Sequence, residues 1–585
     1  MNIRRIEISN FRGIKESTWV IPDDRKFICL IGPGDSGKTA LLDAIHYTLG
    51  DRWRLSISDT DFYNCDTANP ICIRAVIADI PKELLKESAF GLHLSGIDDE
   101  GNLHQDPEDG LKACLIIQLK VDETHEPIWS VERVDGSDGV EIRSSQRHYL
   151  ATFKVDERAD VHLRWTSTSA LGRLSHDKNS AVRAMASAAR AASKAISEHE
   201  DAELAKLTDQ VQAKINEAGG GSFSSIKPGL DTSLSSVGGN LALYEADIPL
   251  TNYGLGTRRI SGLAVQQIAA SNKSLLLVDE IETGLEPHRL VRLIHYLRED
   301  KAYSQVFITT HSPVAVEQAL TENLAVVRSN DDGVTNVAFL PDGTGTALKL
   351  RRSRPSSFLA NRILVVEGKT EEGLLLHSVT TWDKERIRTG LPVAAGEGSV
   401  IQDGQGGSDA PLRAIALSEL GYDVAVFIDN DDSSVDEHVA AAQGLGINVI
   451  RWEKDNNTER QIIFSLEAQE LNSFLLLAKS TRGDETTVLN DLHSAGLPVE
   501  CTTLDVGDWS AHGVSTDDAK QYVAKAAAHK DRSWFKTVDG GKLLGGWIEE
   551  NSPQFNSTVV REKLEEVKNF LYPTQEQAET EDVGE

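Results

Sequence analysis

Cysteine is scarce. The 585-residue chain has five, Cys29, Cys65, Cys72, Cys114 and Cys501, scattered and with no C-x-x-C among them. The missing spacing excludes a zinc module, and an odd, dispersed set argues against a disulfide framework. Long apolar runs are missing as well, since none approaches the roughly eighteen residues of a membrane span. The N-terminus, Met1-Asn2-Ile3-Arg4-Arg5-Ile6-Glu7-Ile8, alternates like a strand, and no apolar signal region follows it. These two absences predict a cytoplasmic protein without a membrane partner. Positive charge is in deficit: 60 Lys and Arg stand against 90 Asp and Glu, a net charge of −30. Binding to a phosphate backbone rests on Lys and Arg. Any nucleic acid must therefore be met by local basic patches or through metal ions.

What is present begins with an apolar strand, Phe27 to Ile31, running into Gly32-Pro33-Gly34-Asp35-Ser36-Gly37-Lys38-Thr39. Leu41, Leu42, Ile45 and Leu49 then recur at helical spacing. This is G-x-x-x-x-G-K-T between a strand and a helix, the context that makes it a nucleotide site. Its glycines let backbone N–H groups approach phosphates, and the helix N-terminus favours an anion. Lys38 is expected on the β- and γ-phosphates of ATP, and Thr39 on Mg²⁺. A second apolar strand, Ser274 to Val278, ends in Asp279-Glu280. Asp279 is expected to bind Mg²⁺ through water and Glu280 to polarise the attacking water. The strand Gln305 to Thr310 ends in His311, placed to reach a γ-phosphate.

Between them, Ser175 to Ala218 is rich in Ala, Lys, Glu and Ser without proline. Val182, Met185, Ala189, Ala192 and Ile196, then Leu204, Leu207, Val211 and Ile215, repeat at helical spacing. The pattern fits an internal helical layer or a dimerisation hairpin, and Gly219 to Ser225 reads as a flexible linker after it. Lys349, Arg351, Arg352 and Arg354 then form a basic linker, either a nucleic-acid contact or a solvated connection.

The remaining chain alternates strand and helix, which predicts a parallel sheet with helices on both faces. The strand Ile363 to Val366 stops at Glu367-Gly368, and the strand Val424 to Ile428 stops at Asp429-Asn430-Asp431. Ligands of such sheets bind at the carboxyl ends of strands, so Glu367, Asp429 and Asp431 are expected to converge. Clustered carboxylates suit Mg²⁺ or Mn²⁺, and two such ions clamp both oxygens of a phosphodiester displacement. Glu371, one helical turn after Glu367, and Glu459, on a later helix, are further ligand candidates. For both, an exposed acid favoured by a helix dipole is the alternative.

The N-terminal motifs resemble the ATP-binding-cassette ATPases of the SMC/RecF kind. Ile8-Ser9-Asn10-Phe11-Arg12-Gly13-Ile14 is similar to their first strand and turn. Tyr253-Gly254-Leu255-Gly256-Thr257-Arg258-Arg259 stands where they keep a signature motif. Asp279 to Pro287 is similar to their D-E-P-E-x-x-L-H-P run, with Ile281 and Glu286 as departures. That resemblance implies nucleotide contacts from Gly254 and Gly256 and a homodimer or higher oligomer. Glu367 with Asp429-x-Asp431 resembles the Toprim domain. The two in this order resemble the OLD (overcoming lysogenisation defect) family of nucleases, including the Gabija nuclease subunit. The implied activity is ATP-controlled, metal-dependent cleavage or nicking of DNA in anti-phage defence. Some members act beside a helicase, and a reverse-transcriptase partner is a further expectation. A catalytic lysine is implied too; Lys536 is the candidate and Lys542 the runner-up. A RecF-type scaffold that binds without cutting is the alternative function.

The expected α/β layout is an ABC-type P-loop ATPase at 1–165 and 226–345, split by a helical insertion at 166–225. A basic linker at 346–360 leads to a Toprim-like parallel-sheet domain at 361–574, and an acidic tail fills 575–585.

Overall fold

The computed structural model describes residues 1–50, 55–136, 139–150, 152–155, 162–164, 169–171, 202–231, 240–269, 274–341, 349 and 351–573. The chain forms two compact units, Met1–Asp342 and Gly343–Glu585.

In the first unit, strands Asn2–Phe11 and Ile14–Val20 pair antiparallel around the Arg12-Gly13 turn. They join a largely antiparallel sheet with Ile71–Ala78 and Lys112–Val121. One face buries Ile3, Ile6, Ile8, Ile73, Ile77, Leu115 and Ile117, and Val76, Cys114 and Ile116 are buried with Ile97 in a separate, smaller cluster. A second sheet runs in the order Thr152–Val155, Ser274–Val278, Tyr303–Thr309, Phe27–Ile31, Leu324–Ser329, Thr335–Phe339. Its first five strands are parallel, and the last pairs antiparallel. Phe27–Ile31 is buried at every position, as a central parallel strand requires.

The polar stretch Gly96 to Leu111 contains a small hairpin, Ser95–Ile97 with Leu103–His104. One expectation changes here. The Gly219–Ser225 linker is pinned rather than loose. Asn216 donates to the Phe223 carbonyl (3.1 Å) and accepts from the Phe223 N–H (3.0 Å), and the Phe223 ring meets Tyr253 edge-on at 5.5 Å. Of the expected helical insertion, Val182 to Ile196 lies outside the described residues. The described helix, Ala202–Glu217, buries Val211 and Ile215 against Ala264 and Val265, with Leu204 and Leu207 packed beside them. This half is an internal layer of the unit.

In the second unit a parallel sheet runs Ser399–Asp403, Arg362–Val366, Asp423–Ile428, Asn448–Arg451. Ser399–Asp403 was not expected as a strand. It is an edge strand with Ser, Gln and Asp among its five residues, so it carries no apolar run. Helices Lys369–Thr389, Asp409–Glu419 and Asp436–Gly444 alternate with the strands. Further helices from Ala468 to Leu571 share one continuous core with the sheet through Phe474, Trp509, Trp534 and Trp547. Within this unit Lys349 pairs with Asp409 (2.8 Å) and Arg354 with Glu372 (3.6 Å). These two linker cations are structural partners of the unit's own acids. The 575–585 tail lies outside the described residues.

Candidate nucleotide and metal sites

The phosphate loop needs backbone that only some residues adopt. Gly32 (φ 142°) and Gly37 (φ 91°) are left-handed, and a Cβ on Gly32 would sit 2.4 Å from the Val327 carbonyl oxygen. Asp35 also takes φ 57°. The helix Lys38–Leu49 starts at Gly37, with no acid in its first turn, so its N-terminus is open to an anion. Lys38 Nζ donates to the carbonyls of Gly32 (3.1 Å) and Pro33 (2.5 Å) and to Ser36 Oγ (3.2 Å). Burial pushes this ammonium down to about 8, against the pull of Asp35, Asp279 and Glu282.

One strand separates the loop strand from the strand ending at Asp279, and Thr309 at its end bridges the gap. Its hydroxyl donates to Asp279 Oδ1 (2.7 Å) and accepts from the Glu280 N–H (2.7 Å). Thr39 Oγ1 also donates to Asp279 Oδ1 (3.1 Å), so the two expected magnesium residues already face each other. Asp279 Oδ2 looks toward Lys154 Nζ at 3.8 Å. Lys154 in turn pairs closely with Asp43, which also holds Arg12. Glu280 sits at φ 44° and accepts from Thr283 Oγ1 (3.1 Å). His311 follows the Thr309 strand; its N–H donates to Glu282 Oε1 (2.5 Å). Partial burial and then Lys38 lower its pKa, so its neutral form is favoured.

The signature-like segment behaves differently from a simple glycine loop. A Cβ on Gly256 would strike the Gly284 carbonyl at 2.1 Å, so within one chain Gly256 serves a close helix-to-turn contact. Gly254 faces open space. Arg259, buried, donates to the carbonyls of Glu280 (2.7 Å) and Thr283 (3.3 Å) and also to that of Asp279. It clamps the turn that carries both acids, a role the sequence pattern did not disclose.

The second unit collects acids at the carboxyl edge of its parallel sheet. Glu367, Glu371, Asp429, Asp431 and Glu459 line one cleft of about 660 Å³ together with Asp403, Lys369 and Lys536. Glu367 Oε2 accepts the Asp429 N–H (2.8 Å). Glu371 Oε2 accepts the Gly368 N–H (3.0 Å) at the start of its helix. Thr458 binds two of the acids: its N–H donates to Asp429 Oδ1 (2.9 Å), and its hydroxyl lies 2.8 Å from Glu371 Oε1 and 3.1 Å from Asp429 Oδ1. The Trp452 indole N–H occupies that hydroxyl's acceptor side (2.8 Å).

Burial pushes Glu367 up to about 7, opposed by the Asp429 N–H and reinforced by Glu371 and Asp431. It pushes Glu459 up to about 8, with Glu371 adding repulsion. Asp429 lies well above the usual carboxylate range, from burial first and then Glu371 and Glu367. Glu371 is raised by burial as well. Glu371 and Glu459 are therefore buried members of the cluster rather than exposed helix-end acids. Glu372 is turned away, paired with Lys369 (3.0 Å) and Arg354.

Lys536 reaches this edge through a helix contact of unusual closeness. A Cβ on Gly373 would sit 2.1 Å from the Val538 carbonyl, and one on Gly541 2.3 Å from the Thr370 carbonyl. Helix Lys369–Thr389 therefore lies backbone to backbone on helix Val538–Glu550. Thr370 Oγ1 also donates to the Phe535 carbonyl (3.3 Å). Lys542 pairs instead with Asp539 (3.6 Å).

The donor set fits Mg²⁺ or Mn²⁺: every candidate ligand is a carboxylate oxygen, and buried like charges gain most from a cation. Among the described residues, no three His, Cys, Asp or Glu side chains are arranged as a ready metal cage. Glu367, Glu371 and Asp429 are turned instead onto the N–H and hydroxyl donors named above. Asp403 and Thr458 escaped sequence reading; each owes its place to a neighbouring strand end or helix start.

Residues 117–317 match the family model described as AAA domain, putative AbiEii toxin, Type IV TA system, and residues 1–74 match AAA ATPase domain. The first unit thus carries an AAA-type ATPase domain. The chain is 23% identical over 402 residues to "OLD nuclease" of Thermus scotoductus, covering 63% of this chain and 71% of that one. Among solved structures, similar chains include an SMC head from Pyrococcus furiosus bound to the C-terminal domain of ScpA (15% identity, 57% of this chain, 95% of that chain, TM-score 0.36). The SMC head domain from Thermotoga maritima is another (14%, 58%, 100%, TM-score 0.29). No helix among the described residues is long and apolar enough to cross a membrane.

Proposed function

We propose that this chain is an ATP-binding, metal-dependent DNA endonuclease or nickase whose second unit is a Toprim-like nuclease domain. One observation carries the reading. Four carboxylates with raised proton affinity meet, with Lys369 and Lys536 beside them, at the carboxyl edge of a parallel sheet, in a chain that also holds an ATPase domain. The resemblance to an OLD nuclease supports it.

In this reading Glu367, Asp429 and Asp431, with Glu371 and Glu459 completing the set, would hold two divalent ions. Bound there, such ions would supply Lewis-acid stabilisation of the attacking and leaving oxygens. The chain's own part is to orient. Thr458 and the Gly368 and Asp429 N–H groups fix the carboxylates, while Lys536 stands ready to offset charge on the scissile phosphate. In the first unit, Gly32, Gly34, Asp35, Ser36 and Gly37 wrap the phosphates of ATP and Lys38 neutralises them. Thr39 and Asp279 hold Mg²⁺, Glu280 orients water, and His311 contacts the γ-phosphate. Gly254 and Gly256 belong to a signature segment that acts on the nucleotide of a second copy, so the working form is a homodimer or larger. Anti-phage defence, a cytoplasmic location, and a helicase or reverse-transcriptase partner are part of the same proposal.

The test is incubation of the purified chain, alone and with encoded neighbours, with supercoiled and linear DNA and Mg²⁺ or Mn²⁺. Cleavage that Glu367→Ala removes is expected. DNA left intact under every metal and nucleotide condition would sink the proposal. One other reading is a RecF-like scaffold whose second unit only binds DNA; it requires Glu367→Ala to leave function intact.

A further inference from the structure

Four charged residues from four distant segments form a line beside the ATPase site: Arg12, Asp43, Lys154 and Asp279. Asp43 is buried in the helix that starts at the phosphate loop. It holds Arg12 from the N-terminal turn on one side and Lys154 on the other, both in close pairs. Lys154 lies on the Thr152–Val155 strand, in register with Leu277 of the neighbouring strand. The Asp279 N–H donates to the Val155 carbonyl (3.2 Å), which fixes Asp279 next to that strand. The Lys154 side chain is only 12% exposed, and it stands 3.8 Å from Asp279 Oδ2. The other oxygen of Asp279, Oδ1, already serves Thr39 and Thr309.

We infer that Lys154 is a positioning residue for Asp279 and that Asp43 sets its working distance. With Oδ1 on two hydroxyls and Oδ2 facing an ammonium, the Asp279 carboxylate has one orientation, with Oδ1 toward Thr39. Lys154 does so without closing into a contact pair, because Asp43 holds it more tightly. A contact pair would neutralise Asp279 and compete with a divalent ion. No contact, conversely, would leave Oδ2 unheld. Arg12 keeps Asp43 in place and has its own second anchor in Asp61 (3.0 Å), so Asp43 is not drawn toward Lys154 at the expense of the helix.

The inference rests on reading Asp279 as the magnesium acid, and the experiment separates the two. Binding of a fluorescent ATP analogue to the full chain is measured with EDTA and with Mg²⁺, and the ratio of the affinities is the readout. Asp279→Asn should abolish the Mg²⁺ gain; a gain that survives it, or a wild type with none, overturns the premise and the inference with it. Lys154→Met should cut the gain by about tenfold, with binding in EDTA unchanged. Lys154→Arg should restore it to within about threefold. Asp43→Asn frees Lys154 to close on Asp279 and should cut the gain at least as far. The double variant, lacking the competing ammonium, should match Lys154→Met rather than multiply the two losses. A Lys154→Met protein with the wild-type Mg²⁺ gain, or two losses that multiply, overturns the role. So does a loss seen equally in EDTA and not repaired by arginine, which marks Lys154 as merely structural.

Discussion

The phosphate-loop edge of the first unit and the acidic cleft of the second occupy the same topological place, the carboxyl ends of parallel strands. Their electrostatics are opposed. At the first edge three central charges have partners in advance: Lys38 sits on carbonyls, Asp279 on two hydroxyls with Lys154 behind it, and Glu282 on Thr310 (2.6 Å). At the second, buried carboxylates face one another, and their proton affinity rises. The first site is organised before a ligand arrives and so favours precise recognition of one ligand. The second carries stored repulsion that any cation relieves, so ion binding there is also a gain in stability.

The sharpest way to break this contrast is Glu367→Ala. It should reduce DNA cleavage to background while ATP affinity in the first unit stays within about twofold. A drop in ATP affinity of the same size would show that the two edges do not act separately. Lys38→Ala is the converse, with ATP affinity expected to fall by about a hundredfold or more and Mg²⁺-induced stabilisation of the second unit retained. Next in size, Lys536→Ala should slow the cleavage step by about 10²–10³-fold, read in single-turnover assays at saturating DNA.

Protons give a subtler test. In the folded chain Glu367 titrates at about 7 and Glu459 at about 8, both above the 4.5 of an unhindered glutamate. The fold thus binds these protons more tightly than the unfolded chain does. That stabilisation is complete below about pH 4.5 and disappears as pH rises toward 8. Without divalent ions, the second unit should melt at a lower temperature at pH 8 than at pH 6, by a few degrees, at about 2–4 °C per kcal/mol. Mg²⁺ should recover more at pH 8 than at pH 6, and Glu459→Gln should flatten both trends. A pH-independent melting point would remove the repulsion from the account. The smallest expected effect is Gly541→Ala, costing about 1–3 kcal/mol through overpacking and slowing cleavage without changing ATP hydrolysis.

The phosphate loop, Asp279-Glu280, Glu367 and Asp429-x-Asp431 were legible because each follows a continuous apolar run that marks a buried strand. The parallel sheet of the second unit followed from the same runs. What escaped lacks that signature. Ser399–Asp403 is a polar edge strand, so Asp403 had no visible frame. Thr458, Arg259, Asp43 and Lys154 act through partners 20 or more residues away, and nothing local in their segments predicts such pairing. Gly256 was legible as a special glycine, but the reason for it, the Gly284 carbonyl, is a tertiary fact. Glu371 and Glu459 could be placed on helix starts from sequence, whereas their burial depends on the helices that cover the sheet edge.

The glycine contact between Lys369–Thr389 and Val538–Glu550 has a mechanical meaning. Because Gly373 and Gly541 bring main chain against main chain, the two helices have no cushion of side chains on which to slide. Glu371 rides on the first helix, and Lys536 stands two residues before the start of the second. The two are geared, and the spacing between acid and lysine is a constant of the fold. Control of this cleft then belongs to what is admitted to it, because parting its acid from its lysine would mean separating the helices themselves.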